Sequence, residues 1–66
     1  MKNNIKVERA IHQLTQDDLA KKVGVSRQTI NAMEANKYVP STVLALKIAA
    51  LFKKPVETIF ILEKTD

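Results

Sequence analysis

The segment VGVSRQTI, residues 23–30, constrains the fold more than any other stretch of the chain. Gly24 is the only glycine among 66 residues, and only two prolines accompany it. Strand-and-turn folds use more chain breakers than this, so a mostly helical fold is expected. Both flanks of Gly24 carry helix signals. Upstream, TQDD opens a helix: Thr15 can accept a hydrogen bond from the amide three residues on, and Asp18 stands where a capping-box acid belongs. Asp17 and Asp18 complement the positive end of that helix, and Lys21 and Lys22 its negative end. Leu19, Ala20 and Val23 make its apolar face, and Gly24 ends it. Downstream, Ser26 caps a helix from about Arg27 to Ala35. Ile30 and Met33 face inward, with Val25 as a hydrophobic staple ahead of the cap. Arg27, Gln28, Asn31 and Ala32 are left on the outside.

The other elements follow from the same signals. A first helix covers about Asn4 to Gln13, with Asn3 or Asn4 as N-cap. Ile5, Glu8, Arg9 and His12 share one of its faces; Val7, Ala10, Ile11 and Leu14 share another. ANKYVPS is a loop, in which Asn36 tolerates the left-handed backbone of a helix end and Pro40 holds Val39 extended. Ser41 caps a fourth helix, about Thr42 to Lys53. Pro55 suits the first position of a short fifth helix, Val56 to about Phe60. IFILEK fits either a helix end or a strand. The expectation is one all-α domain over residues 1–66, a five-helix bundle, with a short terminal β-strand pairing left open.

A chain of this length forms a small core, burying about 60% of its unfolded surface, and no cysteine is present to staple it. The fourth helix nevertheless carries more apolar residues than one stripe needs. Ala45, Ile48, Ala49 and Phe52 suffice, while Val43, Leu44, Leu46 and Leu51 spill around its sides. A helix apolar nearly all round is usually buried. We therefore expect a homodimer, with Leu44, Leu51, Ile59, Ile61 and Leu62 at the contact; packing against the fifth helix is the competing explanation. No apolar run approaches the ~20 residues that span a bilayer. The amino end lacks the apolar stretch of a signal peptide, so no membrane association and a cytoplasmic location are expected.

Joined, the two middle helices have the layout of a helix-turn-helix, whose second helix enters the DNA major groove amino end first. Glycine permits the sharp turn. Ala20, Val25 and Ile30 fill the wedge between the helices. Net charge is +4, concentrated in the middle. From Leu19 to Lys54, Lys21, Lys22, Arg27, Lys37, Lys47, Lys53 and Lys54 stand against Glu34 alone. Such a middle suits a polyanion or is simply a solvated surface; charge alone does not choose.

At this point the sequence resembles a known family. LTQDDLAKKVGVSRQTINAMEANKYVPS and LALKIAALFKKPVETIF are similar to the lambda-repressor-like helix-turn-helix regulators of the Cro/C1 or XRE type, over about Ile5 to Phe60. The likeness is greatest to short, stand-alone dimeric repressors. It implies a double-stranded DNA partner and a transcriptional role. By resemblance, Gln16 would bond a phosphate and brace the recognition helix, while Ser26, Arg27, Gln28, Asn31 and Ala32 would lie in or beside the major groove. Arg27 can contact guanine O6 and N7, Gln28 or Asn31 can contact adenine, and Ala32 can meet a thymine methyl. Thr29 would reach a phosphate, and Asn36, Lys37, Tyr38 and Ser41 would clamp the DNA backbone, setting register without reading sequence. Arg9 and Glu34 match a structural pair in several relatives. Departures fall at Asn36, where glycine is common, at Thr42 and Glu8, where apolar residues are common, and at Ala32, shorter than the usual reader.

No nucleophile, base and orienter assemble, so an enzyme is not expected. Lone His12 has no second histidine, cysteine or paired acids for a metal, and it reads as a surface helix residue. No cofactor is expected. With no room for a sensor domain, no small-molecule effector is expected either. The competing class is a protein-interaction module, such as an antitoxin or co-regulator subunit.

Overall fold

Three side-chain hydroxyls start three of the helices in the computed structural model, which describes residues 1–66. Strand β1 (Lys2–Asn3) leads into α1 (Ile5–Ile11), α2 (Gln16–Val23), α3 (Arg27–Glu34), α4 (Thr42–Phe52), α5 (Val56–Ile59) and strand β2 (Phe60–Ile61). Thr15 Oγ1 accepts from the Asp18 amide at 3.0 Å, and Asp18 Oδ2 accepts from the Thr15 amide at 3.0 Å, closing the expected capping box. Ser26 and Ser41 accept from the amides of Thr29 and Leu44, each at 3.2 Å. Such a cap contributes about 1 kcal/mol.

Helix ends are made by left-handed residues. Gln13, Gly24, Asn36 and Lys53 have φ between 56° and 78°. After α3, the Asn36 amide donates to the Met33 carbonyl at 3.0 Å and the Lys37 amide to the Ala32 carbonyl at 2.9 Å. That is a Schellman ending, with asparagine in the place glycine usually takes. Gly24 has φ +78° and open space where a β-carbon would go, so backbone conformation, not crowding, calls for glycine there.

The core joins all five helices. Ile5, Leu19, Ile30, Met33, Ile48, Phe52 and Ile59 are its fully buried large side chains. Burying each stabilises the fold by about 1.5–3 kcal/mol. As expected, Ala20 of α2 and Ile30 of α3 are buried in this core, with Val25 packed against it. The termini meet in a two-stranded antiparallel sheet, Lys2 opposite Ile61 and Asn3 opposite Phe60. IFILEK is thus helix end first and strand second.

Several sequence expectations need correction. Leu44 and Ile59, expected at a subunit contact, lie inside the chain's own core. Both join the single buried cluster to which all five helices contribute, so the rest of the chain already covers them. On α1, where the sequence left the choice of face open, Ile5 and Glu8 are buried, while Val7 and Ile11 stay exposed. Pro55 precedes α5 rather than opening it. Asn4 occupies the N-cap of α1 without a side-chain capping bond; Asn3 Oδ1 accepts from the Ile5 amide at 3.2 Å instead. His12 is on the surface, its ring tilted against Phe52 with centroids 5.1 Å apart.

Candidate nucleic-acid interface

The candidate recognition surface is the outer face of α3. Ile30 and Met33 turn toward the core. At 100° per residue, Arg27, Gln28, Asn31 and Ala32 then share the opposite arc. Arg27, Gln28 and Asn31 are exposed, and Ala32 is half-buried. Arg27 is the first residue of the helix and lines a shallow cleft with Arg9, Leu14, Thr15, Gln16 and Asp17. The cleft lies where the start of α2 meets the start of α3.

Beneath that arc lies a polar network. Arg9 Nε and Nη2 donate to the two oxygens of Glu34 at 2.6 and 2.9 Å, and Arg9 Nη1 donates to the Leu14 carbonyl at 2.9 Å. Gln16 Nε2 donates to Glu34 Oε1 at 3.2 Å and to Asn31 Oδ1 at 3.3 Å. Burial pushes the Glu34 carboxyl up, but the hydrogen bonds from Arg9 and Gln16, with the charges of Arg9 and Lys6, together hold it below its ordinary value. The Glu34 hydrogen bond and charge raise Arg9 further above neutrality. Arg9 and Glu34 thus form the structural pair that the resemblance implied. Gln16 braces α3, with both of its amide hydrogens engaged inside the protein.

The residues expected at the DNA backbone flank this arc. Ser26 Oγ, already capping α3, lies 2.9 Å from Thr29 Oγ1, and Thr29 is half-buried. Beyond α3, Asn36, Lys37, Tyr38 and Ser41 are all exposed. Asn36 Oδ1 accepts from Asn3 Nδ2 at 3.2 Å, and the same Asn3 nitrogen donates to the Met33 carbonyl at 2.7 Å. Strand β1 therefore holds the exit of the recognition helix. No local signal announces this contact, because 33 residues separate Asn3 from Asn36. Of the residues expected at a subunit contact, Leu51 is half-buried, Ile61 is 41% exposed and Leu62 is 78% exposed. Val43 and Leu46 on the outer side of α4 are also exposed.

No helix is long and apolar enough to cross a membrane. A helix-turn-helix family profile matches residues 5–59. The chain is 62% identical over 66 residues to an HTH-type transcriptional regulator of Methanocaldococcus jannaschii, covering 100% of both chains. The HTH-type transcriptional regulator YgzD of Bacillus subtilis is 47% identical, again over 100% of both chains. A third relative, an HTH-type transcriptional regulator of Archaeoglobus fulgidus, is 47% identical over 100% of this chain and 93% of its own. With its capped, glycine-hinged helix pair and this match along nearly its whole length, the chain belongs to the helix-turn-helix family of DNA-binding transcriptional regulators, of the Cro/C1 type.

Proposed function

We propose that the protein is a cytoplasmic repressor that acts as a homodimer on a near-palindromic operator, without a small-molecule effector. The observation that carries this reading is the outer arc of α3, where Arg27, Gln28 and Asn31 project beside a network that fixes the helix. Arg27, Gln28, Asn31 and Ala32 read bases. Ser26, Thr29, Asn36, Lys37, Tyr38 and Ser41 follow the DNA backbone, with Gln16 at the edge of that surface. The exposed apolar side chains Ile61 and Leu62, with Leu51, Val43 and Leu46, support a self-association face. In such a dimer the two recognition helices sit about 34 Å apart, one helical turn of DNA. A bound dimer of this size represses by occupying the site where polymerase would bind.

Selection from random duplexes tests the whole reading, since it gives half-site, spacing and symmetry together. A palindrome with half-sites about 10 base pairs apart is expected. Arg27→Ala should weaken binding by about 1–3 kcal/mol and relax one base position, whereas Lys37→Ala should weaken all sequences alike and lower the salt slope by about one. Equal loss for every sequence in Arg27→Ala would contradict its role. Sedimentation showing a monomer at about tens of micromolar would remove the dimer.

A further inference from the structure

Asn3 carries a side-chain amide whose two ends are assigned by the backbone around it. Its Oδ1 accepts from the Ile5 amide at 3.2 Å, and its Nδ2 donates to the Met33 carbonyl at 2.7 Å. A backbone N–H only donates and a backbone carbonyl only accepts, so one orientation of the Asn3 amide satisfies both. Its place is fixed as well. Asn3 stands opposite Phe60 in the terminal sheet. Beside it the Asn4 amide donates to the Ile59 carbonyl at 2.9 Å, and Asn4 Nδ2 to the Thr58 carbonyl at 3.1 Å. From this place Asn3 Nδ2 also donates to Asn36 Oδ1, at 3.2 Å. With the Asn36 amide reversed, two NH2 groups would face each other there and neither could accept.

Given the proposed place of Asn36 at the DNA backbone, on which this reading rests, we infer that Asn3 is a positioning residue for phosphate contact: it turns the Asn36 oxygen toward strand β1 and leaves the Asn36 NH2 to meet the DNA. Asn36 is exposed, and its side chain makes no other hydrogen bond within the protein. A phosphate oxygen accepts and does not donate. It therefore selects the NH2 end of the amide and has no use for the spare lone pair on the Asn36 oxygen. The main chain is tied to the same strand. Asn36 is left-handed, with φ 61°, and its amide donates to the Met33 carbonyl that Asn3 also bonds. A donor already turned outward loses less freedom when DNA arrives, which strengthens the contact. Phosphates recur at every base pair, so the gain is the same for every sequence.

The test measures affinity for a duplex selected by the unaltered protein and for an unrelated duplex, at one salt concentration. Asn3→Ala should weaken both by the same factor, about three- to tenfold. Asn36→Gly, in which glycine suits the left-handed backbone, should weaken both by a similar factor. The two changes together should weaken binding no more than the larger alone, because Asn3 acts through Asn36. A merely structural Asn3 would lower the urea midpoint and leave the two losses of affinity to add. Asn3→Ser keeps an acceptor for the Ile5 amide while losing the bonds to Met33 and Asn36, and completes the same cycle if Asn3→Ala does not fold. Losses that add overturn the inference, as does an Asn3 variant that binds like the unaltered protein, or a loss confined to one of the duplexes. Unaltered binding by Asn36→Gly overturns the place of Asn36 at the DNA backbone as well, and so separates the two failures.

Discussion

Glu8 and Arg9 are neighbours on α1, and each is half of an ion pair reaching across the fold. Their surroundings differ. The Arg9 and Glu34 side chains are 14% and 9% exposed, and Arg9 engages both carboxylate oxygens and a carbonyl. The Glu8 side chain is 7% exposed, but only its Oε2 is met, by Lys54 Nζ at 2.7 Å. Its Oε1 is buried with no hydrogen-bond partner. Lys54, at 44% exposed, keeps much of its contact with water. One pair is a satisfied hub whose bonds extend through Gln16 to Asn31 of α3. The other ties α1 to the corner between α4 and α5 and passes nothing on. Buried polar groups rigidify a fold when fully satisfied and weigh against it when they are not. The same chemistry at adjacent positions thus serves orientation in one case and little beyond attachment in the other.

The largest break comes from Arg9→Met. It strands the Glu34 carboxylate in a nearly dry site, and loss of one partner there should destabilise the fold by about 3 kcal/mol, measured by urea unfolding. The pH dependence should change with it. Glu34 titrates below its ordinary value in the folded state, because hydrogen bonds and opposite charge outweigh burial. A group depressed on folding contributes fully above its unfolded value, about 4.3, and that contribution is lost as pH falls through the folded value. The native protein should therefore lose stability on acidification below about pH 4 more steeply than Arg9→Met does. Parallel curves would mean that the pair does not hold Glu34 ionised.

A smaller effect is expected from Lys54→Met. It leaves Glu8 without its only side-chain partner, at about 1–2 kcal/mol, less than the Arg9 change because the lysine end is half in water. DNA base preference should stay unchanged, since no bond links this pair to α3. A shifted preference in the selected duplexes would show that the attachment of α1 to the α4–α5 corner also steers the recognition helix.

How far each pair could be read in the sequence follows from the same contrast. The caps Thr15, Ser26 and Ser41 are local, and each was legible from the few residues around it. So were Gly24, which has no β-carbon to clash, and Asn36, whose short polar side chain tolerates left-handed backbone. Gln13 and Lys53 adopt the same backbone without that preference, in turns closed by the Leu14 amide on the Arg9 carbonyl and the Lys54 amide on the Ala49 carbonyl. Arg9–Glu34 was legible only through the resemblance. Glu8 registered as a departure from an apolar pattern, but its partner lies 46 residues away and no local spacing announces it. Leu44 and Ile59 were misassigned for a related reason: a helical projection counts faces, and only the fold shows which of them the rest of the chain covers.

Glu8→Leu gives the finest test of the contrast. Leucine removes the buried oxygen that has no partner and fills similar space with apolar atoms. Lys54 is then released toward water rather than stranded, so no charge is left in the core. Replacing a poorly satisfied buried ion with a well-packed apolar side chain is often neutral, or stabilising by about 1–2 kcal/mol. The unfolding midpoint should therefore hold or rise slightly, with the selected duplexes unchanged. A loss greater than about 1 kcal/mol would mean that the Glu8–Lys54 bond is worth more than its orphaned oxygen costs. The two pairs would then differ in what they connect, and not in how well each is satisfied.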